Sequence, residues 1–377
     1  MISRRKTKWC LLVISLVLFI LCSSMIKAVP INDASMVLSF SVDMGETENF
    51  LVSAEILIPN TSMQNTSYAS MVVEAEGKTI KCAFNKISKL TGQTIVLTHN
   101  DVIVLGEEII KQGKIYSSIS YVVGHSYLSD NAYVFCCKGM ARDVIKYTSA
   151  IGHSPGHQLM QIVGRNRFDD INTITLKNVL LKYHELGQTI VLPQIVPIET
   201  NTPQGADEKT APDEEKAEYL YDITQSMVTK GTEYIFTTSG MQSIQIRYLN
   251  GEIKYGGLCV IGENNEAINL HIVNKKLTKK FDKNSNTITA KLEFELMIKE
   301  INNFADTSVD VDRSLMTDTE EKNLKESIKK DLEDFYKFSQ FLDVDVYSFR
   351  QMFFSKFGKD LPIQDIKLNV EVDVKYV

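Results

Sequence analysis

DIKLNVEVDVKYV, Asp365 to Val377, decides how the second half of this chain is read. Apolar Ile366, Leu368, Val370, Val372 and Val374 alternate strictly with Lys367, Asn369, Glu371, Asp373 and Lys375. A period of two places all five apolar side chains on one side of a strand. One face of the resulting sheet must therefore be covered by a second apolar layer.

The cover is legible just upstream. Thr317 and Glu320 have the spacing of a capping box. Leu324, Ile328, Leu332, Phe335, Phe338 and Leu342 then recur every three or four residues, drawing one apolar stripe along a helix of about seven turns. A shorter helix, VYSFRQMFFSKFG, presents Phe349, Met352, Phe353 and Phe357 before Gly358 and Pro362 stop it. TITAKLEFELMIKEI, from Thr287, reads as a long strand, and SIQIRYLNGEIKYGG predicts a hairpin turning at Asn250-Gly251. The second half, 217–377, is thus expected to be an α+β domain whose antiparallel or mixed sheet lies under a long helix.

The first half, 29–199, alternates strands and helices. VLSFSVDMG and FLVSAEILIPN, between Val37 and Asn60, predict two strands joined by a polar turn. TIVLTHNDVIVLG gives a strand pair, or a strand and a bend, before the helical EEIIKQG. NAYVFCCKG is a further strand and MARDVIKYTSA a further helix. TLKNVLLKYHELG is a helix stopped by Gly187, and the strand QTIVLPQIVPI follows it. The whole reads as a mixed α/β multi-domain exported protein. Between the halves TNTPQGADEKTAPDEEK, 200–216, has prolines, a glycine and acids but almost nothing apolar to bury, and is expected to be a linker or exposed loop.

Export is expected from the leader, 1–28. Arg4, Arg5, Lys6 and Lys8 precede the apolar run Cys10 to Leu21, the charged-then-apolar order of a signal peptide. Extended through Ile26, the run approaches the roughly 17 residues that can span a bilayer. Cys22 is the candidate lipidation site, although Ile20 and Leu21 stand where a lipoprotein signal places small residues. Lipid at Cys22, an uncut helix, and removal of the leader are all open on these residues.

A net charge of −6 over 377 residues leaves no basic footprint for nucleic acid. Cys82, Cys136, Cys137 and Cys259 are too few and too irregular for a disulfide framework, and are read as small buried residues. Adjacent Cys136 and Cys137 in a strand face opposite sides. His153 and His157 in GHSPGH are four apart, but Pro155 and Gly156 interrupt any shared helix, and Ser154-Pro155 suits an N-cap and first helical position instead. Asp343 and Asp345, between two helices, read as turn and capping residues. Asn60-Thr61-Ser62 and Asn65-Thr66-Ser67 match the glycosylation acceptor pattern. The chain carries no G-x-S-x-G, phosphate-loop or dinucleotide motif, and no catalytic, cofactor-binding or metal residue is assigned.

Taken in order, several of these stretches resemble the Ger(x)C (GerAC-type) family, the C subunits of spore nutrient germinant receptors in endospore-forming bacteria. INDASMVLSFSVDMGETENFLVSAEILIPN resembles the family's opening strand, turn and strand. THNDVIVLGEEIIKQG, NAYVFCCKGMARDVI and TLKNVLLKYHELGQTIVLPQI resemble the segments that follow. GGLCVIGENN and LDVDVYSFRQMFFSKFG with the last strand resemble its second half. The chain departs from the family at the lipidation box, which ends in glycine and cysteine there and in Leu21 and Cys22 here.

The resemblance implies a non-catalytic, membrane-attached subunit acting in nutrient-triggered spore germination, without a cofactor. It implies a place on the outer, extracytoplasmic face of the spore inner membrane, held by lipid or by an uncleaved N-terminal helix. Its expected partners are polytopic receptor subunits, one of them permease-like. It also allows a small middle domain at the start of the second half. The competing expectation is a membrane-anchored extracytoplasmic solute-binding protein.

Overall fold

A computed structural model describes residues 9, 12–17, 33–58, 69–123, 129–149, 154–164, 171–200, 218–253, 256–262, 267–302 and 316–377. The expected linker 200–216 lies almost wholly outside these, as does Cys22. Among the described residues no helix is long and apolar enough to cross a membrane.

The first sheet is mixed. Its strands are β1 (Ala34–Met44), β2 (Phe50–Ile58), β3 (Ala69–Gly77), β5 (Val102–Leu105), β6 (Tyr133–Cys137), β8 (Thr189–Thr200), β9 (Glu218–Lys230) and β10 (Glu233–Thr237), in the spatial order β10-β9-β8-β6-β5-β1-β2-β3. Short strands β4 (Thr94–Val96) and β7 (Thr148–Ser149) pair with β1 and β9. The expected β1–β2 hairpin is present, Phe40 opposite Ala54 and Met44 opposite Phe50. TIVLTHNDVIVLG resolves as a strand and a bend: β4 and β5 both run parallel to β1 at different heights, with Asn100 buried in the bend between them.

Helices cover both faces of this sheet, which is why its central strands are apolar without alternation. On one face α1 (Ile80–Thr91), α2 (Glu107–Lys111), α3 (Ile115–Val123) and α6 (Leu176–His184) bury Phe84, Ile109, Ile119 and Val179 against Phe40, Ile103, Val134 and Cys136. On the other, α4 (Ala141–Lys146) and α5 (Pro155–Gly164) bury Val144 and Leu159 against Val104, Phe135 and Cys137. Cys136 and Cys137 thus occupy cores on opposite sides, as the period of a strand requires. Cys82 and Cys259 are exposed instead of buried. Cys82 sits on the solvent side of the first turn of α1, and Cys259 on an edge strand.

The first sheet does not stop at 199. β9, beyond the acidic segment, pairs antiparallel with β8 from Thr189–Lys230 to Thr200–Glu218. The chain then enters α7 (Gly240–Asn250), and here the predicted hairpin is corrected. Ser239 Oγ accepts from the Gln242 N–H and the Gln242 side chain accepts from the Ser239 N–H, closing a capping box. Gly251, at φ 80°, ends the helix in the left-handed conformation. Asn-Gly serves a helix end as well as a tight turn, and α7 is buried on most sides, so Ile244, Ile246 and Tyr248 imitate strand alternation.

The second sheet has the order β11 (Gly256–Ile261), β12 (Ala267–Asp282), β13 (Thr287–Asn302), β14 (Lys367–Tyr376). β11–β12 and β12–β13 are antiparallel, and β13–β14 is parallel, so the sheet is mixed. Val370 and Val374 are buried while Lys367, Glu371 and Lys375 are exposed. Helix α8 (Asp318–Phe341) begins at the expected box: Glu320 N–H to Thr317 Oγ1 is 3.2 Å, and Thr317 N–H to Glu320 Oε2 is 2.8 Å. Leu324, Ile328, Leu332 and Phe335 join Ile288, Leu292, Phe294 and Val370 in one core. Full burial of each such side chain stabilises by about 1.5–3 kcal/mol. Phe338 departs from the stripe, half-exposed against Phe236 of β10. Helix α9 (Phe349–Phe357) follows and adds Phe349 and Phe353 to the core.

Candidate functional site

Of the histidine pair only His157 is among the described residues. His153 lies outside the described residues, as do both glycosylation acceptors. His157 is exposed at the start of α5, its Nε2 2.8 Å from the Gln161 side-chain nitrogen, and Ser154 Oγ accepts from the His157 N–H at 3.4 Å. Among the described residues no group of three or more His, Cys, Asp or Glu side chains could hold a metal ion.

The two aspartates lead to the junction between the halves. Asp343, at φ 55°, pairs with Lys230 of β9 and accepts from Gln364 at 2.9 Å. Asp345 is 4% exposed, and its two carboxylate oxygens accept from the N–H groups of Phe349 and Arg350, each at 2.8 Å, capping α9 from upstream. Its own N–H donates to Thr189 Oγ1 of β8 at 2.9 Å. Burial raises the Asp345 carboxyl above its ordinary value, against the pull of those two backbone donors.

A second bridge joins the end of α6 to the start of α9. Lys182 Nζ is 3.0 Å from Glu185 Oε2 and also donates to Ser348 Oγ, and Ser348 Oγ donates to Glu185 Oε2 at 2.7 Å. Ser348 stands at φ 55°, a left-handed conformation uncommon outside glycine. Ser348 Oγ thus accepts from Lys182 Nζ and donates to Glu185 Oε2. The serine hydroxyl is therefore fixed in place by partners on both sides. Leu186 N–H adds a bond to Gln351 Oε1 at 3.3 Å.

These bridges form one wall of a cleft of about 660 Å³. Lys182 and Glu185 come from the first half. Asn250 and Glu252 come from the end of α7, Lys279 and Phe281 from β12, and Tyr347 with Gln351, Met352 and Lys356 from the start and body of α9. Glu252 is raised by burial, while Arg247, 3.9 Å away, opposes that shift. Lys279 is lowered to about 8 by burial, with Asp345 and Glu252 opposing.

Sequence reasoning found Asp345 through its place between two helices. It missed the lysines: Lys279 looks like any polar residue of an alternating strand, and Lys356 like any last-turn base. Only the fold of α9 over β12 brings them to one cleft.

Two family models match the chain. One described as "Spore germination protein N-terminal domain" covers residues 27–197, and one described as "Spore germination B3/ GerAC like, C-terminal" covers residues 224–376. A search of the curated proteins finds no match. Among solved structures, "Crystal Structure of the GerBC protein" is similar at 12% identity and a TM-score of 0.46, over 90% of this chain and 96% of that chain.

Proposed function

Because this chain belongs to the GerAC-like family of spore germination proteins, we propose that it acts in nutrient-triggered germination as a non-catalytic, membrane-attached subunit of a germinant receptor. In this reading it assembles with polytopic receptor subunits, one of them permease-like, on the outer face of the spore inner membrane. The observation that carries the reading is the order of the two matches, an N-terminal germination domain followed by a C-terminal one across nearly all of the chain after the leader.

The packing supports a scaffold. Asp345 to Thr189, Ser348 to Glu185 and Leu186 to Gln351 tie the second half to the first at three places. A chain so tied offers partners fixed surfaces, which lowers the conformational cost of assembly. The leader supplies the attachment, and Cys22→Ala separates its two modes. Release of the variant from the membrane marks a lipid anchor, and retention marks an uncut helix.

The test is deletion of the gene in the spore-forming host. Loss of nutrient-triggered germination, with germination by a non-nutrient route intact, is the expected result. Unchanged nutrient response and unchanged levels of the polytopic subunits would overturn the reading.

A further inference from the structure

The cleft between α6, β12 and α9 has an unbalanced charge. Its two carboxylates each have a cation of their own: Glu185 is held by Lys182 at 3.0 Å, and Glu252 lies 3.9 Å from Arg247. Its other two cations do not. Among the described residues the Lys279 and Lys356 amines have neither an ion-pair nor a hydrogen-bond partner.

Both amines rest on aromatic rings instead. Lys279 Nζ is 5.4 Å from the centre of the Phe349 ring, and Lys356 Nζ is 4.7 Å from that of Phe281. Lys279 and Phe281 are two residues apart on β12, so they share one face at a spacing of roughly 7 Å. Lys356, over Phe281, therefore flanks the same patch as Lys279. Tyr347 also lines the cleft. It is 1% exposed, and its hydroxyl has no hydrogen-bond partner among the described residues. A buried hydroxyl left unsatisfied costs about 1–3 kcal/mol, and the desolvated Lys279 amine adds to that penalty.

We propose that this cleft is a binding site for a small anion, a carboxylate or a phosphate, held between Lys279 and Lys356 with Phe281 and Met352 against its apolar part. Each amine gains a charge-assisted hydrogen bond that the protein alone does not supply. The volume of about 660 Å³ suits a small organic molecule. The site stands whether or not the chain assembles with other subunits.

Calorimetric titration of the full chain in zwitterionic detergent micelles tests it. Inorganic phosphate, succinate and the uncharged dimethyl succinate are the probes, and micelles doped with dihexanoyl phosphatidylglycerol form a separate arm. Saturable binding of succinate or phosphate, with none of dimethyl succinate, is expected. Lys356→Gln, at an exposed position that leaves the core intact, should weaken it about tenfold or more, as should Lys279→Gln. Lys276→Gln, on the opposite face of β12, should leave it unchanged. If only the doped micelles show a Lys356-dependent signal, the anion is a lipid headgroup; if a free anion competes for it, the source is soluble. Binding weaker than about 1 mM for every anion, or binding that survives Lys279→Gln with Lys356→Gln, would overturn the proposal.

Discussion

Gly187 and Asp345 meet so closely that only hydrogen fits between them: a Cβ on Gly187 would lie 2.9 Å from the Asp345 Cβ and 3.3 Å from its Oδ2. Gly187 closes the turn after α6, and Asp345 caps α9. The contact therefore couples a turn of the first half to a helix start of the second, and it abuts the cleft through Ser348.

Gly187→Ala should force these two backbones apart. The cost expected from overpacking a tight site is about 1–3 kcal/mol. Urea unfolding measures it, and limited proteolysis should show faster cutting at the junction. An unchanged midpoint would mean that the contact can relax without loss.

Asp345→Ala removes the acceptor of two N–H groups at the start of α9. A loss of roughly 1–3 kcal/mol is expected. Asp345→Asn keeps one acceptor oxygen and should fall between wild type and alanine. Equal stability of all three would show that α9 does not depend on this cap.

Asp43 provides a pH test. It is 3% exposed and accepts from the N–H groups of Ala141 and Arg142 at 2.7 Å each, yet burial outweighs those bonds and lifts its carboxyl to about 6 from 3.8. Below about pH 4 both folded and unfolded chains hold the proton; between about 4 and 6 the folded chain holds more. Stability from this group is thus full at low pH and is lost as pH rises through about 6. Over that window wild type should lose roughly 3 kcal/mol relative to Asp43→Asn. Parallel stability profiles for the two proteins from pH 4 to 7 would contradict it.

Gly251→Ala tests the end of α7. At φ 80° an alanine is strained, and a loss of about 1 kcal/mol is expected in urea unfolding. Leu277 Cδ2, 3.5 Å from the added methyl, is an ordinary contact, so the effect comes from the backbone. No loss would argue against a left-handed cap at this position.

What the sequence discloses depends on whether its signal is local. The alternation from Ile366 to Val374 and the box at Thr317 and Glu320 each lie within one element, and both elements form as read. Ser239 to Gly251 misleads because burial on most sides of α7 erases the helical stripe, and Asn-Gly ends a helix as readily as it turns a hairpin. The pairing of β8 with β9 joins strands separated by an acidic stretch, a relation that hydrophobic patterning cannot express. The cleft is the least legible part. Lys182, Lys279 and Lys356 lie far apart in the chain, on a helix, a strand and another helix, and only tertiary packing gathers them.

The central claim is assembly, and its most direct measurement is affinity purification of the tagged chain from detergent-solubilised spore membranes, with mass spectrometry of what accompanies it. Recovery of a polytopic, permease-like protein in constant proportion is the expected result. Recovery of this chain alone, under detergent conditions that keep other membrane complexes intact, would contradict the receptor-subunit reading.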